Sequence, residues 1–383
     1  MNKLLYFIAC GLWLMLSCVP PQEEIREEVE TEEPKVSVAK KHYSFGREYL
    51  KNKMYDDAIK YFELAIKDSA SYVDAYVKLG LAYRHKKEYG EAERVYEEMI
   101  EVVPTKGHYA LGRLYLDKKE YERALTEYRE ALKVDTSYVD ALYGIGYVYE
   151  KMGKPEDAIR EYKRALELDS ENEGIRYSLG KSYISNEEYE KGIQELEILR
   201  TAHPEDLDVR RALGGALLDV KKYKEAKEEF EYIALHSPSD ITSRVQLGKA
   251  CEGLKDYSSA SQAYKNAIKI DTTNIPSYYH LVNFYIKLKK FTDASKVLKT
   301  ARQINPDNQI LYCLAGDIQS ELASISFKGK NYSSAKSKYN KAISEYKNAL
   351  KGDEAEWVTY AQKAIERVKI ELKKIKEAEW WDR

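Results

Sequence analysis

Apolar residues along this chain follow two nested periods. Within short blocks they recur at i, i+3, i+4 and i+7, the spacing of one face of an amphipathic helix. The blocks themselves recur. Gly46, Gly80, Gly112, Gly146, Gly180, Gly214, Gly248 and Gly316 follow a step of 34, with one step of 32 and Val282 in the place between Gly248 and Gly316. Three residues after that position stand Tyr49, Tyr83, Tyr115, Tyr149, Tyr183, Leu217, Cys251 and Tyr285. Nine further on come Ala58, Ala92, Ala124, Ala158, Gly192, Ala226, Ala260 and Ala294. Four beyond those come Phe62, Tyr96, Tyr128, Tyr162, Leu196, Phe230, Tyr264 and Leu298. The pattern predicts helical hairpins, the first helix carrying the Gly and the second the Ala. Small residues let the two helices approach, and the bulky ring fills the space beside them. Pro104, Pro204, Pro238 and Pro306 fall where second helices should stop, and Pro155 and Pro276 near helix starts.

The ends of the chain break this pattern. Lys3 precedes an uncharged apolar run, Leu4–Leu16, too short for the roughly 18–20 residues of a membrane-spanning helix. Small Ser17 and then Cys18 follow. The stretch Met15-Leu16-Ser17-Cys18 resembles the lipobox of bacterial lipoproteins, although Met15 stands where that family usually has Leu. The resemblance implies removal of residues 1–17 and acylation of Cys18. Residues 18–40 read as a tether: Val19–Lys40 holds seven Glu and three Pro and no aromatic residue. Such a segment buries too little apolar surface to offset its ordering entropy. At the other end, Trp357, Ala361, Ala364, Val368, Leu372 and Ile375 form one stripe, so residues 351–383 read as a helix that caps the array.

The body resembles the tetratricopeptide repeat family. In "VDALYGIGYVYEKMGKPEDAIREYKRALELDS" the motif residues are Gly146, Tyr149, Ala158, Tyr162 and Ala165. Eight such repeats fill residues 41–308, and residues 309–350 form an irregular ninth. There Gly316 fits, but the matching Ala335, Tyr339 and Ala342 come seven residues late, which implies lengthened helices. The resemblance implies an all-α, right-handed solenoid of about nine hairpins with a C-terminal capping helix.

Composition adds mainly exclusions. The net charge of −2 gives no basic domain of the kind nucleic-acid binders carry. The 34 Tyr are largely accounted for by the packing ladders, so they do not indicate a base-stacking surface. Cys251 and Cys313 alone remain after Cys18, which is no disulfide framework. No phosphate-binding loop, nucleophile elbow or metal motif occurs. The six His sit in different repeats with no ligand spacing. No cofactor and no metal are expected, and the chain reads as non-catalytic.

In this family the first helices line a groove that takes peptides. Carried over position by position, the face three residues before the Gly and one residue after it includes Tyr43, Arg47, Tyr109, Arg113, Tyr143, Tyr147, Tyr177, Lys181, Lys249, Tyr279 and Asn283. The i,i+4 spacing sets Tyr43, Tyr109 and Tyr177 beside Arg47, Arg113 and Lys181, which suits an extended, partly acidic peptide. The family's chaperone-tail clamp, a fixed set of Lys, Asn and Arg, is absent. The expectation is a lipid-anchored scaffold for protein partners in envelope assembly or secretion. Val19 after Cys18 favours the outer membrane if the source has two. The alternative is an adaptor of a cell-wall enzyme that binds a folded domain outside the groove. Self-association through the C-terminal helices stays open.

Overall fold

The computed structural model describes residues 35–381, so Cys18, the apolar run before it and most of the acidic tether lie outside the described residues. Nineteen α-helices and no strand make up the described residues, and no helix among them is long and apolar enough to cross a membrane. The chain divides into two compact units, one ending at Leu114 and one beginning at Tyr115.

The first unit holds α1 (Lys35–Lys51), α2 (Tyr55–Asp68), α3 (Val73–Lys86), α4 (Tyr89–Val102) and most of α5 (Pro104–Asp117). Helix α1 takes in residues 35–40, which the composition assigns to the tether. Ala39, Tyr43 and Gly46 stand at i, i+4 and i+7, and Ala39 is fully buried, so the apolar stripe begins one turn earlier than expected. Only Val103 separates α4 from α5, whereas four residues, 169–172, separate the corresponding helices further on. The link is three residues shorter and α5 is one residue longer than α9, which together give the single step of 32.

The second unit runs through α6 (Tyr121–Val134), α7 (Val139–Lys151), α8 (Pro155–Leu168), α9 (Glu173–Ser185), α10 (Tyr189–Ala202), α11 (Leu207–Asp219) and α12 (Tyr223–His236). It continues with α13 (Ile241–Gly253), α14 (Tyr257–Ile270), α15 (Ile275–Lys287) and α16 (Phe291–Ile304), then α17 (Gln309–Lys328), α18 (Tyr332–Ala349) and α19 (Ala355–Trp381). From α6 each helix packs on the next, and alternate first helices α7, α9, α11, α13, α15 and α17 also touch in sequence.

The ladders meet as hairpin contacts. A Cβ built on Gly80 would lie 2.3 Å from the Tyr96 ring, and one on Gly248 2.4 Å from Tyr264. Both rings are almost wholly buried. Two local devices set the helix ends. From α9 onward the first helices begin on Asn172, Asp206, Asp240, Asn274 and Asn308, each accepting a hydrogen bond from a first-turn backbone N–H. These caps recur at the same step of 34. Inside each hairpin the turn passes through the left-handed region, at Lys53, Lys87, Lys119, Gly153, Glu187, Lys221, Lys255, Lys289 and Lys330.

The ninth hairpin departs from the sequence register. Helices α17 and α18 have 20 and 18 residues, against 13 and 14 in α15 and α16. The ring against Gly316 is Tyr346, at 2.4 Å from a built Cβ, not Tyr339. Seven extra residues on each side of the hairpin turn double the offset, so the trio Ala342, Tyr346 and Ala349 takes the place expected for Ala335, Tyr339 and Ala342. All five residues are buried. The extra turns pack on the 27-residue α19, whose far half buries Ile375 completely and joins Glu379 to Lys336.

Candidate functional site

The predicted peptide-facing residues fall on the first helices α1, α5, α7, α9, α13 and α15. In the first unit the Arg47 guanidinium lies 5.8 Å from the centre of the Tyr43 ring, and that of Arg113 lies 5.9 Å from Tyr109. In the second, the Lys181 ammonium is 5.5 Å from the centre of Tyr177. These are cation–π distances. Tyr43 packs on Phe62 and, edge-on, on Tyr72. Burial pushes the Tyr43 and Tyr177 phenols above their ordinary value, so both stay neutral donors at physiological pH. Arg47, Arg113, Lys181 and Lys249 make no ion pair among the described residues, and the first three are exposed.

Other positions are differently occupied. Tyr143 stacks with Tyr147 at 6.4 Å between ring centres, and Lys151 covers Tyr147 at 4.8 Å. Arg211 stands at an equivalent position but is held by Asp208 and Asp240, the latter at 3.0 Å, so that hairpin presents no free cation there.

A cleft of about 860 Å³ opens on the same face where α11, α13 and α15 pass one another. Gly215, Lys249 and Asn283 supply the position after the ladder residue from three successive hairpins. His280 lies between the Tyr264 and Tyr279 rings, 6.1 Å and 5.3 Å away. Burial first, then Lys249 and Lys287, lower the His280 pKa to about 4, so the ring is neutral at physiological pH. Glu252 accepts the Tyr264 hydroxyl at 2.5 Å and pairs with Lys287 at 3.1 Å.

The face ends under α19. Trp357 meets Tyr279 edge-on at 5.6 Å, so part of that predicted contact residue is already covered. In the ninth hairpin the equivalent positions are Cys313 and Asp317. The Cys313 thiol points at the Trp357 carbonyl, 4.0 Å away, and burial pushes its pKa up to about 12. Asp317 accepts from the Tyr346 and Tyr360 hydroxyls. Helix α19 therefore packs on α18 as a cap and also lies over the peptide-facing positions of α17.

No group of His, Cys, Asp and Glu among the described residues forms a metal site. His42 is hydrogen-bonded to Asp68 and His203 to Glu173, each at 2.6 Å and each in a different hairpin. The arrangement offers rings, cations and amides spaced along helices, which is binding chemistry.

Models of the tetratricopeptide repeat match residues 43–105, 139–172, 177–241 and 252–314, and a further model of the same repeat matches 112–153. The chain is a tetratricopeptide repeat protein. Among solved structures it is similar to a tetratricopeptide repeat protein from Parabacteroides merdae, at 18% identity and a TM-score of 0.51, covering 71% of this chain and 98% of that one. It is also similar to the C-terminal part of a repeat-containing protein from Cytophaga hutchinsonii, at 21% identity and a TM-score of 0.50, covering 62% and 99%. These likenesses concern the fold. No curated protein matches the chain.

Within the tetratricopeptide frame, Gly316 was the signal that places Cys313 and Asp317 on the peptide-facing side. The contact of Trp357 with Tyr279 had no such signal, because an apolar stripe on α19 does not say which neighbours it crosses.

Proposed function

We propose that this protein is a non-catalytic scaffold that binds an extended, partly acidic segment of a protein partner along its first helices. Tetratricopeptide repeats are protein-interaction scaffolds, and the observation that carries the finer reading is the pairing of ring and unpaired cation at Tyr43–Arg47, Tyr109–Arg113 and Tyr177–Lys181. Tyr gives broad contact area at low entropy cost. A cation without an acidic partner is ready to meet a carboxylate. Acylation at Cys18 would hold the scaffold at an envelope membrane, with the Glu-rich tether as spacer. One acyl chain gives only marginal binding, so a multi-chain anchor suits this role.

The test is co-purification from detergent-solubilised native membranes. Wild type is compared with a variant carrying Glu at Arg47, Arg113, Lys181 and Lys249. A partner that is captured by the wild type and lost from the folded variant supports the reading. Unchanged capture places the partner elsewhere on the molecule. Radiolabelled fatty acid incorporated by the wild type but not by Cys18→Ser tests the anchor.

A further inference from the structure

The position after the ladder glycine carries a substantial side chain in every hairpin but one: Arg47, Leu81, Arg113, Tyr147, Lys181, Lys249, Asn283 and Asp317. The exception is Gly215. Its neighbour Gly214 is required, since a Cβ there would lie 2.9 Å from the Phe230 ring. Gly215 is not: a Cβ there meets nothing within 4 Å. A glycine in the interior of a helix is less stable than alanine. Helix α11 thus bears a cost that no packing contact in the fold demands, and it does so at the wall of the cleft between α11, α13 and α15.

What a missing side chain provides is backbone approach. Resting on the reading of this face as a peptide track, we infer that Gly215 is where a partner's main chain lies against α11, and that the cleft beside it receives an acidic side chain from that segment. Lys249 supplies the charge, since it makes no ion pair among the described residues and stands one hairpin on, at the equivalent position. Asn283, one hairpin further, supplies an amide donor. The other charges facing the cleft are Glu252, Lys287 and Asp219. Glu252 is occupied by Lys287 and Tyr264, and Asp219 stands on the exposed rim. Neutral His280 adds a hydrogen-bonding ring without competing for the carboxylate. The inferred specificity is for a carboxylate on a side chain, in a stretch whose main chain can pass within contact of a helix backbone.

Fluorescein-labelled hexaglutamate with an amidated C-terminus is the probe, with hexaglutamine as control, titrated by fluorescence anisotropy at low ionic strength. Wild type should bind hexaglutamate and not hexaglutamine. Gly215→Leu and Lys249→Gln should each weaken binding roughly tenfold, the size of one lost charged hydrogen bond or its blocked approach. Lys296→Gln, on the exposed side of α16, should change it less than roughly twofold. Gly215→Ala separates function from folding: it should raise the thermal midpoint while weakening the probe, whereas a merely structural glycine would not move the two in opposite directions. Equal binding by wild type, Gly215→Leu and Lys249→Gln, or no binding of hexaglutamate by the wild type, overturns the assignment. If a native partner depends on Arg47, Arg113 and Lys181 but ignores Gly215→Leu and Lys249→Gln, the scaffold function stands and this subsite falls.

Discussion

Tyr360 on the last helix donates its hydroxyl to Asp317 on α17, 2.9 Å from Oδ1, and Tyr346 donates to the same oxygen at 2.7 Å. Two tyrosines from two helices converge on one half-buried carboxylate. Burial pushes the Asp317 pKa above its ordinary value, and the two hydroxyls and Arg367 only partly oppose this, with Glu321 adding to the rise. A raised carboxylate is most stable in its place when protonated. Its contribution is present below the usual carboxylate range and is lost as pH rises through the folded value. Asp317→Asn keeps an acceptor without the charge. The variant should therefore gain thermal midpoint over wild type at pH 7, with the gain shrinking towards pH 4. A gain that is instead larger at pH 4 would contradict this account.

Gly146 is a second point of contact. A Cβ there would sit 2.5 Å from the fully buried Tyr162 ring. Gly146→Ala should destabilise the second unit by about 1–3 kcal/mol through overpacking. Gly90→Ala, where the same atom meets nothing within 4 Å, should not. Urea unfolding of both variants measures the difference.

Lys221 turns the chain in the left-handed region at φ 62°, and Gly153 does so two hairpins earlier at φ 69°. Residues with a Cβ are strained there by roughly 1–2 kcal/mol. Replacing Lys221 by Gly relieves that strain but frees the unfolded chain, so a net gain of about 0.5–1 kcal/mol is expected. Gly153→Ala should lose a similar amount. Calorimetric midpoints of the two variants should move in opposite directions.

Glu229 is the buried acid between α10, α11 and α12. It pairs with Arg210 at 2.5 Å and with Arg200 at 3.6 Å, and Arg210 lies 3.7 Å over the Tyr232 ring. Glu229→Ala would leave Arg210 buried without its acid, at a cost of about 3–5 kcal/mol. Replacing Arg210 by Met together with Glu229 by Leu should recover much of that loss. If the double variant is no more stable than Glu229→Ala, the stranded charge is not the cause.

The all-α fold was legible because its repeat is written in steric terms. A glycine sixteen residues before a ring, as in Gly80 and Tyr96 or Gly146 and Tyr162, can be read without coordinates. The recurring Asn172, Asp206, Asp240, Asn274 and Asn308 were equally open to view as helix caps. The left-handed lysines were not, since turn chemistry favours Gly or Asn at such a position. Among the predicted peptide-facing residues, the pairing of Tyr43 with Arg47 follows from helical spacing alone. The loss of Arg211 to Asp240 does not, because a contact across 29 residues is set by how neighbouring hairpins stack. The partial cover of Tyr279 by Trp357 was hidden for the same reason.

Helix α18 offers Gly316 two seats of the same shape. Ala335, Tyr339 and Ala342 form one, and Ala342, Tyr346 and Ala349 the other, seven residues along the same helix. Sliding α18 by two turns would exchange a tooth for its copy, like a ratchet with a single pawl. Within the hairpin, the short turn at 329–331 and the Tyr346 hydroxyl on Asp317 hold the second setting. Helix α19 meets that setting, since its Tyr360 joins Tyr346 on the Asp317 carboxylate. The last hairpin of this array therefore carries a spare seat, and the helix after it grips the carboxylate that marks the seat in use.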